Sequence, residues 1–182
     1  MEKFSNYFDD INACGFTMCP PCINISEVKF SVSEDKIIFG LGAIKNVGFE
    51  SMSKIVENRK RNGKFVDIFD FARRVHLKKV GKRPLEMLIS SGAFAVFNLE
   101  NTAMLEKLEE LILYSAACHN EEESSQANLF SNSIETIKKP EFKSVNSPSL
   151  SMRSKEIYDV TGIYFVSPYN HEPCFYESLG IK

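Results

Sequence analysis

The chain has 182 residues, of which 43% are hydrophobic and 25% are charged. This is ordinary globular composition, which excludes a wholly disordered, collagen-like or repeat-built protein and fits one domain plus an appendage, at roughly 150 residues per domain. No apolar run approaches the roughly 18 residues of a membrane span, and acidic Asp9 and Asp10 stand where a signal peptide would be apolar. We therefore expect a cytoplasmic protein without membrane contact. Five cysteines in such a chain favour reduced thiols over a disulfide framework.

Positive charge is concentrated in one stretch of the chain. The formal net charge is −2, but the window from Lys45 to Arg83 contains 12 basic residues and four acidic ones, so the rest of the chain is strongly acidic. Such a division is typical of a nucleic-acid-binding protein whose total charge is near neutral. Solvated helix faces would give the same composition, so charge alone leaves both interpretations open.

The N-terminal third of the chain predicts short elements. Residues 1–15 fit an amphipathic helix that ends at Gly15. The two prolines between Cys19 and Cys22 predict a turn or an extended segment. Residues 28–32 and 36–39 then alternate in the manner of two strands of a β-hairpin.

Helical periodicity dominates the next part. Apolar residues predict helices around Ile55 and around Phe69, separated by the Asn62-Gly63 break. Pro84 suits the first turn of a third helix. Leucine and isoleucine residues spaced by three and four predict one continuous helix over 101–118. The expected fold class is therefore mainly α with a small β-hairpin.

The composition changes after residue 118. Residues 119–151 are rich in Glu, Ser, Asn and Pro, which predicts a solvated linker. A short helix over 152–158 and a strand over 160–166 are expected beyond it. We therefore predict a helical domain over 1–118, a polar linker over 119–151 and an incomplete unit over 152–182, since a lone strand cannot satisfy its edges.

The most informative motif extends from Leu41 to Gly48. Its apolar residues are spaced by three, a tight turn closes at Gly48 and another helix follows, which is the pattern of a helix-hairpin-helix. In such a motif the free N–H groups of the hairpin and the positive end of the second helix bind a phosphate without reading bases. Asn46 stands where the motif usually has its first glycine, and asparagine tolerates left-handed backbone angles. A helical hairpin that serves only stability is the alternative.

The predicted phosphate-binding residues fall into two groups. Those of the hairpin itself are Lys45, Asn46, Val47 and Gly48. Secondary cationic contacts are expected from the following helix, at Lys54, Arg59, Lys60 and Arg61. Binding of this kind is independent of base sequence and weakens with salt.

A second motif lies inside the polar linker. Gln126 is followed by an apolar-aromatic pair, Leu129 and Phe130, in an otherwise polar setting. Short extended peptides bind by placing such anchors in a preformed pocket, with Gln126 able to hydrogen-bond at the rim. The alternative is a linker that folds back onto its own domain.

Three cysteines near the N-terminus suggest a different class of protein. Cys14, Cys19 and Cys22 have the spacing of some iron–sulfur ligands, and the last two form a C-x-x-C pair. A fourth ligand would have to come from distant Cys118, so an iron–sulfur or thiol-redox protein is kept as the rival interpretation and no cofactor or metal is expected. The sequence shows no phosphate loop and no nucleophile in a recognisable setting, so no catalytic residue is predicted.

Five segments of the chain, taken in order, resemble the alpha subunit of bacterial DNA polymerase III. The segments are 14–24, 39–48, 65–71, 82–89 and 91–94. The resemblance covers residues 1–118 well and includes Gln126–Phe130, which is similar to the family's internal sliding-clamp-binding peptide. Residues 155–182 resemble, more weakly, the segment that leads into the family's oligonucleotide-binding barrel.

This resemblance implies a role in DNA replication, with double-stranded DNA and the sliding clamp as partners. Gln126, Leu129 and Phe130 would bind the clamp, and other polymerase III holoenzyme subunits or a complementary polymerase fragment are further candidate partners. The family's palm domain, with its metal-binding aspartates, has no counterpart here, so polymerase catalysis by this chain alone is not expected. The chain resembles an internal piece of a much longer polymerase. A separately encoded product, a truncation and a non-functional remnant all stay open.

Overall fold

A small three-stranded sheet forms the N-terminal part of the fold. The computed structural model of the chain describes Ile11 and residues 14–127, 139–142 and 149–165, without the side chains of 121–127 and Leu150. The strands are β1 (Thr17–Cys19), β2 (Ser31–Ser33) and β3 (Lys36–Ile38), in the order β1-β3-β2. β1 is parallel to β3, whereas β2 and β3 form the predicted antiparallel hairpin.

The first strand of that hairpin is shorter than the sequence predicts. It begins at Ser31 instead of Val28 because the carbonyls of Glu27 and Val28 accept hydrogen bonds from Leu41 and Gly42. The parallel partner β1 is not evident from the sequence, since the pairing depends on a loop that returns the chain to the sheet.

The described residues form seven α-helices, which confirms the mainly α fold. Their bounds are α1 Phe49–Asn62, α2 Ile68–Arg74, α3 Leu77–Val80, α4 Lys82–Ser90, α5 Asn101–Glu106, α6 Leu108–Ala127 and α7 Leu150–Thr161. Single 3-10 turns occur at Leu41–Ala43 and Ala95–Phe97. None of the helices in the described part of the chain is long and apolar enough to cross a membrane.

Local signals explain where several helices begin and end. Gly63, with φ +82°, terminates α1 as the Asn62-Gly63 break predicts. The Asp67 side chain caps α2 by accepting from the Asp70 N–H at 2.6 Å. Pro84 lies in the first turn of α4, where its missing N–H costs no helical hydrogen bond.

A continuous apolar core joins the hairpin region to the helices. Phe71 lies at its centre, with edge-to-face contacts to Phe65 at 5.1 Å and Phe94 at 5.0 Å. α6 packs against α2 and α3, where Ser115 Oγ accepts from Leu77 N and donates to the Val75 carbonyl, both at 3.1 Å. The segment 41–48 and α1 both pack on this core.

The predicted helix over 101–118 is wrong in two respects. It is broken at Lys107, whose backbone angles (φ −98°, ψ 8°) lie outside the helical region. Both α5 and α6 pack on α4, and α6 also packs on α2 and α3. The second helix also continues to Ala127, past the predicted boundary at 118. Residues 119–127 of the predicted linker are therefore helical in backbone, which glutamate and glutamine favour.

The predicted strand over 160–166 is also not found in its described part. Val160 and Thr161 form the last turn of α7, and Gly162, with φ +78°, ends that helix. Val160 and Ile163 are buried in the domain core, since a short apolar run fits a buried helix end as well as a strand. The remainder of the predicted C-terminal unit, most of the predicted helix over 1–15, and Leu129 and Phe130 lie outside the described residues.

Candidate functional site

The segment from Leu41 to Gly48 forms a compact turn in front of α1. Leu41, Ile44 and Val47 are all buried, as their spacing predicts. Asn46 has φ +58° and Gly48 has φ +73°. Asparagine is among the non-glycine residues that tolerate this left-handed region best, so Asn46 is compatible with the hairpin turn.

The start of this turn is held against the preceding loop. The N–H groups of Leu41 and Gly42 donate to the carbonyls of Glu27 and Val28, both at 2.9 Å. A Cβ atom at Gly40 would lie 2.5 Å from the nearest backbone carbon of that loop. This approach requires glycine and fixes the orientation of the hairpin.

The tip of the hairpin presents backbone donors at the surface. Asn46 and Gly48 are exposed, and no backbone hydrogen bond from either of their N–H groups is found within the described part of the chain, whereas Val47 between them is buried. Gly48 is also the N-cap of α1 and brings no side chain to cap it. The first-turn N–H groups of α1 have no partner inside the helix, so this end of α1 is a positive, uncapped terminus.

Lys45 contacts a part of the fold that its sequence position does not suggest. Its backbone N–H donates to the Val160 carbonyl at 3.1 Å, and its ammonium donates to the Asp159 carbonyl. Both acceptors belong to the last turn of α7. The negative end of a helix dipole favours a lysine there.

Lys54, Lys60 and Arg61 lie on exposed positions of α1. Lys54 pairs with Glu50 at 2.9 Å, and Lys60 pairs with Glu27 at 2.7 Å. Arg61 is exposed. The hydrogen bond from Lys54 lowers the pKa of Glu50, so a carboxylate remains in the first turn of α1 and opposes an anion there.

Arg59 points inward, which removes it from the predicted cationic surface. Its side chain is 7% exposed, and its guanidinium donates to the carbonyls of Ile23 at 2.8 Å and Ser26 at 2.7 Å. Burial lowers the pKa of this guanidinium, against the opposing effect of Glu27. A sequence signal existed: Arg59 follows buried Ile55 by four residues and therefore belongs to the apolar face of α1.

The three N-terminal cysteines differ in exposure. Cys14 is exposed while Cys19 and Cys22 are buried, and burial raises the pKa of both buried thiols. The thiolate is the reactive form in thiol exchange, so a raised pKa slows exchange at Cys19 and Cys22. No group of three His, Cys, Asp or Glu residues that could hold a metal ion occurs in the described part of the chain.

The predicted clamp-binding residues are described only in part. Gln126 belongs to the last turn of α6, but its side chain is not described, and Leu129 and Phe130 lie outside the described residues. Their role stays a prediction.

Comparisons with known proteins identify the relatives of this chain. A family model for the helix-hairpin-helix motif matches residues 15–104. The chain is 34% identical over 190 aligned residues to DNA polymerase III subunit alpha of Haemophilus influenzae, covering 100% of this chain and 16% of that protein. It is 36% identical over 130 residues to the subunit of Vibrio cholerae, covering 71% and 11%. The corresponding values for Thermus aquaticus are 36% over 129 residues, covering 71% and 10%. The chain therefore spans 16% or less of the length of these three relatives.

Proposed function

We propose that the helix-hairpin-helix of this chain, which belongs to the DNA polymerase III alpha-subunit family, binds the phosphate backbone of duplex DNA during replication. The family resemblance found in the sequence is confirmed by the comparisons. The observation that carries the proposal is the surface formed by the hairpin tip and the uncapped start of α1.

The backbone donors support binding that does not depend on base sequence. The N–H groups of Asn46 and Gly48 lie at the tip of the turn, next to the positive N-terminus of α1, while Val47 between them packs into the core. Converging N–H groups and a helix dipole form a ready anion-binding site. Contacts of this kind hold phosphates and carry no base information.

Side-chain charges strengthen this surface. Lys45 has three N–H donors and uses one of them on a carbonyl at the end of α7, so its other donors can reach a phosphate. The ion pairs of Lys54 and Lys60 are exposed at the surface, where such pairs add little stability and exchange readily. The proposal keeps Lys54, Lys60 and Arg61 as secondary contacts and gives Arg59 a structural role.

The test is fluorescence anisotropy of a labelled primer–template duplex titrated with the full chain over a salt series. Lys45→Gln with Lys54→Gln should weaken binding and reduce the slope of log affinity against log salt by about 0.9 for each phosphate that the variant no longer neutralises. The matched control is Lys107→Gln with Lys139→Gln, which removes the same charge outside the basic stretch. Equal affinities and slopes for the two double variants would contradict the proposal.

The role of the backbone donors needs a separate test. Asn46→Gly retains a residue that favours positive φ, so duplex affinity should be preserved. Asn46→Ile places a β-branched side chain at φ +58° and should distort the tip and weaken binding. Equal binding by the two variants would show that the hairpin N–H groups do not hold the phosphate.

We further propose that Gln126, Leu129 and Phe130 tether the chain to the sliding clamp. Support comes from the similarity of this pentapeptide to the family's clamp-binding peptide and from the apolar pair in a polar setting. Calorimetric titration of the clamp with the full chain should show binding that Leu129→Ala with Phe130→Ala abolishes. Undiminished clamp binding by this variant would assign the tether to another segment.

A further inference from the structure

A cavity of about 220 Å³ lies beside α1, on the side that faces α3. One wall is formed by Ser51, Lys54 and Ile55 of α1. The opposite wall includes Lys79 and Val80 of α3. The lysines of the lining suit an anionic group, and its apolar residues suit a carbon surface. The lining therefore suggests a ligand with both an anionic and an apolar part.

The cavity is continuous with the proposed phosphate site. Ser51 belongs to the first turn of α1 and also lines the cavity. A Cβ atom at Gly48 would lie 4.0 Å from Ser51 Oγ, so the cavity begins where the hairpin ends. A strand whose phosphate contacts the hairpin tip can therefore reach the mouth of this cavity if it runs along α1.

The walls of the cavity are fixed by a hydrogen-bond network. Arg74 Nε donates to Asn58 Oδ1 at 3.0 Å, and Asn58 Nδ2 donates to the Arg74 carbonyl at 3.0 Å. The Arg74 guanidinium also donates to the Gly63 carbonyl at 2.8 Å and lies 4.3 Å from the centre of the Phe65 ring. Arg74 is thus committed to the protein, and the cations available to a ligand are the exposed ones at the rim.

The rim and floor of the cavity differ in chemistry. Lys54 and Lys79 are exposed at the rim, whereas Ile55, Val75 and Val80 form apolar parts of the lining. Ammonium groups suit a phosphate, and an apolar floor suits the carbon face of a deoxyribose. This combination fits a sugar-phosphate unit better than a free inorganic anion, which would leave the apolar floor unused.

We propose that this cavity is a second backbone subsite, which receives the sugar-phosphate unit next to the one held by the hairpin, with Lys79 as its main cation. The inference rests on the proposed function and extends it by one site. Neither Lys79 nor Ser51 is distinguished by the sequence motifs, because the cavity forms only when α3 packs beside α1.

The adjacent residue provides a matched control. Lys78 and Lys79 are both exposed on the same short helix, but only Lys79 lines the cavity. Lys79→Gln should reduce the salt slope of duplex binding by about 0.9 and the affinity by about eightfold at about 0.1 M salt. Lys78→Gln should leave the slope unchanged, and Lys79→Arg, which keeps the charge, should restore most of the affinity. Thermal unfolding of each variant checks that the fold is retained.

The outcomes separate this inference from the proposed function. If Lys45→Gln, which lies outside the cavity, weakens duplex binding while Lys79→Gln behaves as Lys78→Gln does, the cavity proposal is overturned and hairpin binding stands. If the unmodified chain shows no salt-dependent duplex binding at low salt, both proposals fail. A salt slope of duplex binding that Lys79→Gln reduces and Lys78→Gln leaves unchanged supports the second subsite.

Discussion

Replacing Arg59 with methionine tests whether this arginine is part of the structure or part of the proposed DNA-binding surface. Methionine keeps an unbranched apolar stem but removes the guanidinium. The carbonyls of Ile23 and Ser26 then lose donors at 2.8 and 2.7 Å, inside a region where Ser26 is fully buried. The substitution should therefore reduce the free energy of unfolding.

The expected magnitude follows from these two hydrogen bonds. A hydrogen bond to a charged group contributes about 1.5–3 kcal/mol, so losing two of them costs roughly 3–6 kcal/mol. Relief from burying a cation offsets part of this cost, in line with the lowered pKa of the Arg59 guanidinium. We expect a net loss of about 2–4 kcal/mol for Arg59→Met.

The assay is urea unfolding followed by far-ultraviolet circular dichroism, because the chain has no tryptophan. Arg61→Met, an exposed change two residues further along the same helix, is the control and should alter stability by less than about 0.5 kcal/mol. Under conditions in which both variants are folded, Arg61→Met should weaken duplex binding more than Arg59→Met does. A loss below about 1 kcal/mol for Arg59→Met, or the opposite order in DNA binding, would refute the reasoning.

Three further predictions concern the same region. Glu50→Gln removes a carboxylate from the first turn of α1 and should strengthen duplex binding at low salt, a gain that anisotropy should show disappearing as salt rises; weaker binding would count against the site. Gly40→Ala places a Cβ 2.5 Å from backbone and should cost about 1–3 kcal/mol in urea unfolding, whereas an unchanged midpoint would show that the loop can move away. In the native protein, mass-spectrometric mapping should find Cys14 alkylated well before Cys19 and Cys22, because these two thiols are buried with raised pKa; equal rates would contradict that burial.

The parts of the fold that the sequence predicts correctly depend on neighbouring residues. Apolar residues spaced by three and four place α1, α2 and α4, and the Asn62-Gly63 break separates the first two helices. The spacing of Leu41, Ile44 and Val47 predicts their burial, and the backbone preference of asparagine accounts for the positive φ of Asn46. These features follow from local geometry, so they can be recognised without knowledge of distant contacts.

The errors occur where a distant partner decides between two local solutions. The break at Lys107 leaves the apolar spacing intact, but α6 packs on α2 and α3 in addition to α4, which α5 also contacts. The apolar run that begins at Val160 has the pattern of a strand. In the structure it is a helix end instead, with Val160 and Ile163 buried in the core. Packing against the rest of the domain outweighs the local preference in both cases.

The sequence by itself determined the family, the helical framework and the presence of a hairpin with a positive helix end behind it, because each depends on the order and spacing of residues along the chain. Only the tertiary structure decided what each cation does. Arg59 reaches acceptors more than 30 positions away, and Lys45 contacts the last turn of α7 more than 110 positions away. Charge and periodicity describe a side chain's type and direction, whereas its partners are set by loops and helices that only folding brings into contact.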